Sequence, residues 1–195
     1  MPSPTVPSPA GRPSATRPPA VRRHAVLSVG SNLGDRLGTL QACVHAIGGL
    51  PDTDVLAVSP VYETAPVGGP VQPDYLNAVL IVATALTPRD LLAAAHGIEA
   101  EAGRVRAERF GPRTLDIDII SYADQVSDDQ TLTLPHPRAH ERAFVLAPWH
   151  DIDAGATLPG QGKVRDLLAG LGQDGVRRRP DLILTGPAGS VAEAR

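Results

Sequence analysis

Two aspartates lie two positions apart in a stretch that has the pattern of a β-strand. Asp116 and Asp118 alternate with Leu115, Ile117 and Ile119. Successive side chains of a strand point to opposite faces, so both carboxylates project from one face and the apolar side chains from the other. Paired carboxylates repel each other unless a cation or water lies between them. Mg²⁺ suits this pair, because it binds one or two carboxylates and fills its other positions with water and phosphate oxygens.

A run of arginines precedes this strand, in a segment that also contains two glycines and a proline. The four are Arg104, Arg106, Arg109 and Arg113. Guanidinium groups bind phosphate oxygens bidentately. Arginines beside a carboxylate pair are the groups that phosphoryl transfer needs, since metals bridge phosphates and cations stabilise developing charge. The alternative interpretation is a strand with one solvated face that follows a solvated basic loop.

The elements that must position these residues follow from short apolar and periodic segments. Apolar runs predict strands at 25–29, 55–58, 77–85 and 115–122. Helices are predicted from Asp35 to Gly48, from Thr87 to about Gly103, and over 164–171. The order strand–helix–strand–strand–helix–strand predicts an α+β fold with a ferredoxin-like βαββαβ core. Helices would pack on an antiparallel sheet to give three α/β/α layers.

Composition limits the classes of protein to which the chain can belong. It has 195 residues, 42% hydrophobic and 20% charged, with a net charge of −3 and one cysteine, Cys43. We predict a disordered Pro-rich tail over 1–23, one domain over 24–172 and a loose C-terminal tail over 173–195. A single cysteine excludes an internal disulfide and favours the cytoplasm. No apolar run reaches the roughly 18 residues of a membrane span, and the balanced charge argues against nucleic-acid binding.

Three patterns look like known binding motifs but lack the neighbouring residues or elements that those motifs need. Residues 170–175 match the dinucleotide-binding fingerprint by letter, but they follow a helix where that motif needs a strand. Gly162 and Lys163 lack the following Ser or Thr of a phosphate-binding loop. His136 and His140 are separated by a proline and have no further zinc ligands nearby.

Four strings in the chain resemble the 6-hydroxymethyl-7,8-dihydropterin pyrophosphokinase family of folate biosynthesis. They are VGSNLG at 29–34, QPDYLN at 72–77, RFGPRTLDID at 109–118, and PHP at 135–137 followed by HERAF at 140–144. They occur in the order and spacing of the family, and the resemblance covers about residues 24–171. The string that ends in the paired aspartates is the most specific of the four.

The resemblance implies transfer of pyrophosphate from the co-substrate ATP to the pterin hydroxymethyl oxygen, with release of AMP. It implies two Mg²⁺ ions held by Asp116 and Asp118, and Arg104 and Arg113 on loops that close over ATP. Asp118 is a candidate for the group that takes the hydroxyl proton, by position alone. The nucleotide-contacting positions it implies are Glu99, Arg106, Arg113, Ile119, His136 and Arg142.

A pterin is a flat heterocycle that needs rings on its faces and amides along its edge. The resemblance gives Tyr75 and Phe144 the stacking positions and Asn77 the edge position. It completes the acceptor set with Thr64, Ala65, Val67, Phe110 and Asp116. We expect a monomer that acts on small molecules.

The chain departs from the family at a few positions. Phe110 stands where tryptophan is commoner, Ala65 where some members have proline, and Ala143 where others have glycine. The loop before Phe110 is one residue shorter than in some members, which affects the reach of Arg106. Two alternatives stay open: a magnesium-dependent transferase with another acceptor, and a ligand-binding module without chemistry.

Overall fold

The computed structural model describes residues 21–66, 70–103, 112–172 and 175–187. The strands of the main sheet are β1 (Arg23–Ser31), β2 (Thr53–Val58), β3 (Tyr62–Thr64), β4 (Tyr75–Thr84) and β5 (Asp116–Tyr122). Two short hairpins follow: β6 (Ser127–Asp128) with β7 (Thr133–Leu134), and β8 (Thr157–Leu158) with β9 (Gly162–Lys163). The last strand is β10 (Val176–Arg178). The helices are α1 (Arg36–Gly48), α2 (Pro88–Glu101), α3 (Ala143–Ile152) and α4 (Val164–Leu171).

The main sheet is antiparallel and confirms the ferredoxin-like prediction. β1 lies between β4 and β5 and pairs with both. β2 and β3 pair with successive parts of β4 on its other side, and β10 pairs with β3. The sequence patterns did not predict β3 and β10, because three residues are too few to show a period.

Local capping fixes the starts of the two helices between the core strands. The Asp35 side chain accepts a hydrogen bond from the Gly38 N–H at 3.0 Å, and Thr87 caps α2 through the Asp90 N–H. These side chains satisfy backbone donors that a helix start leaves without partners. The structure therefore confirms both predicted helix starts.

Two apolar clusters lie on the two faces of the sheet and produce the three layers. One cluster joins β1 and β4 to α1 and α2, and includes Leu27, Leu40, Leu80 and Leu91. The other joins the opposite face to α3 and α4, and includes Val79, Ile120, Leu146, Trp149 and Leu168. Cys43 is buried in the first cluster, and burial raises the pKa of its thiol to about 12. Such a thiol is protonated and unreactive, as expected of a structural cysteine.

The prediction of a loose C-terminal tail is wrong for residues 175–187. β10 adds to the sheet beside β3, and Leu182 and Leu184 pack on the first apolar cluster. The Thr185 N–H donates to Gln41 Oε1 of α1 at 2.9 Å. These contacts join residues far apart in sequence, so local periodicity could not show them. Across the described ranges, every helix is too short or too polar to cross a membrane.

Candidate active site

Polar side chains gather at one end of the sheet, where the ends of some strands meet the beginnings of their antiparallel neighbours. The ends of β1 and β3 meet the beginnings of β4 and β5 there. Asp116 lies opposite Gly30, and Gly30 lies opposite Asn77. Directly opposed residues of antiparallel strands share a face. The pairing of these strands therefore brings the Asp116 carboxylate and the Asn77 amide, 39 residues apart in sequence, to the two sides of Gly30.

Gly30 keeps the space between these two side chains open. A Cβ at this position would lie 3.0 Å from Asn77 Oδ1, closer than an ordinary van der Waals contact. Asn77 Nδ2 donates to Thr64 Oγ1 at 2.8 Å, and both residues are buried. This hydrogen bond holds the amide, so its oxygen faces the space above Gly30.

Each aspartate of the pair is bound by an arginine. Arg113 Nη1 donates to Asp116 Oδ1 at 2.6 Å, and Arg142 Nη1 donates to Asp118 Oδ2 at 2.9 Å. Burial lowers the pKa of Arg113, but the neighbouring carboxylate of Asp116 outweighs this and the net pKa is raised. Arg113 is therefore a permanent cation beside the acids.

His136 faces the second acid as a neutral ring. Burial lowers its pKa, although the charge of Asp118 acts in the opposite direction. Its Nδ1 accepts a hydrogen bond from the Arg138 N–H at 3.1 Å, so the proton of the neutral ring is on Nε2. Nε2 lies 3.8 Å from Asp118 Oδ2.

The donor set suits Mg²⁺ better than a transition metal. Among the residues that the structure describes, no three His, Cys, Asp or Glu side chains come together as a metal-binding group. Mg²⁺ does not need such a cage, because it binds through one or two carboxylates and takes its other oxygens from phosphates and water. Asp116 and Asp118 on one face of β5 meet that requirement.

Two cavities meet at these acids. One has a volume of about 250 Å³ and extends between α2, β5 and the segment at 131–133. The other, about 380 Å³, extends over the ends of β3 and β4 towards the start of α3. Arg113, Asp116, Asp118 and His136 line both. A molecule in either cavity would therefore reach the same two carboxylates.

Most of the predicted site residues in the described part of the chain lie in these two cavities. Glu99, Ile119 and His136, from the nucleotide set, line the smaller one. The larger one is lined by members of the acceptor set: Thr64, Ala65, Tyr75, Asn77, Asp116 and Phe144. Arg142 was predicted in the nucleotide set but lines the larger cavity, with its guanidinium carbon 5.6 Å from the centre of the Phe144 ring. Val67, Arg104, Arg106 and Phe110 lie outside the described residues.

Asn32 is a connecting residue to which the sequence analysis gave no role. Its Nδ2 donates to Gln72 Oε1 at 2.9 Å and to Pro73 O at 3.1 Å, just before Tyr75. Its Oδ1 accepts from the Arg113 N–H at 2.8 Å, and its own N–H donates to Arg113 O. Asn32 is 1% exposed, and its hydrogen bonds join Arg113 to the segment before Tyr75 at the larger cavity. Its place directly after β1, within the string VGSNLG, was the available signal.

A ferredoxin-like sheet that presents paired carboxylates and arginines where two cavities meet has the features of a phosphoryl-transfer enzyme. Residues 26–154 match the family of 7,8-dihydro-6-hydroxymethylpterin-pyrophosphokinases. The chain belongs to this family.

Curated relatives and solved structures agree with this membership. A Pseudomonas aeruginosa protein is 42% identical over 158 residues, which cover 81% of this chain and 98% of that protein. A Mycobacterium leprae protein is 47% identical over 153 residues, 73% of this chain and 78% of that protein. Both are named 2-amino-4-hydroxy-6-hydroxymethyldihydropteridine pyrophosphokinase.

A crystal structure of Plasmodium falciparum HPPK-DHPS with pterin and p-hydroxybenzoate shares the fold. Its TM-score is 0.60 at 16% identity, over 76% of this chain and 43% of that one. The present chain thus spans less than half of the Plasmodium protein.

Proposed function

We propose that this protein transfers pyrophosphate from ATP to the hydroxymethyl group of 6-hydroxymethyl-7,8-dihydropterin and releases AMP, as a step of folate biosynthesis. Family membership supports the reaction. The observation that carries it is the junction of two cavities at Asp116 and Asp118. A transfer between two substrates needs two binding spaces that open on one reacting centre.

The larger cavity suits the pterin. Tyr75 and Phe144 supply rings for the faces of the heterocycle, and Asn77 supplies an amide for its edge. Thr64 holds that amide in place, which lowers the entropy lost when the pterin binds. We include Ala65, Val67 and Phe110 in the acceptor set on the family pattern.

The smaller cavity suits the nucleotide. Ile119 offers an apolar surface for the base. Glu99 Oε1 accepts a hydrogen bond from the Ile117 N–H at 2.8 Å and so fixes β5 against α2. His136 contributes a neutral donor, and we assign phosphate contacts to Arg104, Arg106 and Arg113. Arg142 would reach the phosphate chain from the acceptor side, because it is bound to Asp118.

Asp116 and Asp118 are the residues that would hold two Mg²⁺ ions. When bound, these ions would supply positive charge that stabilises the phosphates. The hydroxymethyl oxygen forms a bond to the β-phosphorus, the bond from that phosphorus to the oxygen bridging the α- and β-phosphates breaks, and AMP leaves. Arg113 stabilises charge on the phosphates in this step. Asp118 is our candidate for accepting the hydroxyl proton.

We further infer a cytoplasmic monomer that binds no nucleic acid. The single cysteine supports the cytoplasmic location, and the balanced net charge of −3 supports the inference that the protein binds no nucleic acid.

The test is incubation of the purified protein with Mg²⁺, ATP and the hydroxymethyl pterin, followed by chromatography of nucleotides and pterins. AMP and pterin diphosphate should form in equal amounts, and removal of Mg²⁺ with a chelator should stop both. Formation of ADP would contradict pyrophosphate transfer. AMP that appears with other hydroxymethyl heterocycles but not with the pterin would favour a transferase with another acceptor.

A further inference from the structure

Val176, the first residue of β10, lines the larger cavity at the outer side of the sheet. Val176 pairs opposite Thr64, and Thr64 pairs opposite Tyr75. The three side chains therefore project in one row from the same face of the sheet. All three line the cavity, and Val176 packs against the apolar cluster under α3 and α4. Val176 lies beyond the residues 26–154 that match the family.

Ion pairs on the opposite face hold β10 against the sheet. Arg177 and Arg179 both donate to Glu63 Oε2, the latter at 2.8 Å. Glu63 is buried, and its other oxygen accepts from Arg36 at 3.1 Å. Arg36 also donates to Asp74 O at 2.7 Å, directly before the stacking tyrosine. The Glu63 carboxylate, through Arg36, thus joins β10 to the segment directly before Tyr75, which lines the acceptor cavity.

A third contact holds β10 against α3. Arg178 Nε lies 3.7 Å from Asp151 Oδ2, the atom that also accepts a hydrogen bond from the Tyr62 hydroxyl at 2.9 Å. α3 carries the second stacking ring, Phe144. With β3 on one side and α3 on the other, the position of Val176 is fixed relative to both rings of the cavity.

We propose that Val176 is a specificity-determining residue, whose size limits which pterins the cavity admits. The proposal rests on the proposed function, since it assumes that the larger cavity holds the acceptor. An apolar side chain held in a fixed position discriminates between ligands by their volume. Neither the protein nor water can make room for the extra atoms of a larger ligand. One methylene in such a pocket changes selectivity by about tenfold or more.

The experiment compares Val176→Phe and Val176→Ala with the wild type and with Val126→Phe, a control on a residue that is 67% exposed. Kd values are measured for the hydroxymethyl pterin and for a non-hydrolysable ATP analogue, and kcat/KM for ring-methylated pterins. Val176→Phe should weaken pterin binding by at least about tenfold and change nucleotide binding less than about twofold. Val176→Ala should shift the kcat/KM ratio towards methylated pterins by at least about fivefold. Val126→Phe should change neither.

The two variants separate a role in selectivity from a role in packing. Loss of packing alone would lower the melting temperature and leave the ratio between the two acceptors unchanged. If Val176→Phe fails to fold, the ratio of kcat/KM values in Val176→Ala still tests the proposal. Wild-type selectivity in Val176→Ala overturns the proposal while the proposed function stands. A wild-type protein that binds ATP but no pterin overturns both.

Discussion

Asp116 and Asp118 differ from ordinary surface acids because each is held by an arginine at the junction of two cavities. We expect Asp116→Asn and Asp118→Asn each to lower turnover by at least about 100-fold, because losing one charge weakens the metal clamp. AMP release and circular dichroism measure activity and folding. Asp124→Asn, an exposed acid in the turn after β5, is the control and should keep full activity. Near-normal turnover in either site variant would remove the metal assignment.

Arg113 lines both cavities, and its bond to Asp116 holds its charge beside the aspartates, where the proposed function has the phosphates bind. We expect Arg113→Ala to lower kcat by about 100-fold or more and to change the pterin Kd little, since its contact acts mainly in the transition state. Steady-state kinetics with a binding titration checks this. Arg165→Ala, an exposed arginine of α4, is the matched control. Unchanged kcat with weaker pterin binding would place Arg113 in the acceptor site instead.

At the scale of elements, Glu63 holds β10 to the sheet through a pH-dependent contact. Burial raises its pKa, but hydrogen bonds from Arg177, Arg179 and Arg36 outweigh this and hold the pKa below the ordinary value of 4.5. Its contribution to stability is therefore complete above pH 4.5 and is lost as the pH falls through its lowered pKa.

We expect Glu63→Gln to lower the free energy of unfolding by about 2 kcal/mol at pH 7. The difference from the wild type should shrink steadily below pH 4.5. Urea denaturation across this range measures it, with the exposed Asp166→Asn as a control that should change stability by about 0.5 kcal/mol or less. A difference that stays constant from pH 7 to pH 3 would show that the charge of Glu63 does not hold β10.

The sequence predicted those elements whose signals are local. Thr87 and Pro88 start α2, and the alternation around Asp116 gives β5, because caps and periods depend on neighbouring residues. β10 escaped prediction because its stability comes from Glu63, more than 110 residues earlier. For the site, the residues came from the four sequence strings that resemble the family. They did not supply the orientation of Arg142 or the bridge through Asn32, which depend on packing between distant segments.

At the scale of the whole molecule, Asn32 offers a route by which one substrate can affect the other. Nucleotide that fixes Arg113 would, through Asn32, also fix Gln72 and the segment before Tyr75. We expect ATP to bind first, and an ATP analogue to raise pterin affinity at least about tenfold, a coupling of roughly 1.4 kcal/mol. Titration calorimetry with and without the analogue measures it.

The middle of this bridge, Asn32, and its far end, Gln72, can be replaced separately. Asn32→Ala and Gln72→Ala should each reduce the coupling towards zero, while Gln125→Ala, an exposed residue in the turn after β5, should leave it intact. Melting temperatures identify any variant that fails to fold. Equal pterin affinity with and without the analogue in the wild type would mean two independent sites. Full coupling in both variants would exclude the bridge as its route.

The path of the chain after β10 has a practical consequence for building fusion proteins. The segment crosses α1, where Thr185 binds Gln41, and Pro187 lies so close to Gly48 that a Cβ there would be 2.7 Å from its ring. α1 covers the face of the sheet opposite the larger cavity. A second enzyme or an immobilisation tag joined directly after Pro187 would therefore start behind the sheet and leave the entrance of the larger cavity open. The same fusion made before Val176 would remove a residue that lines that cavity.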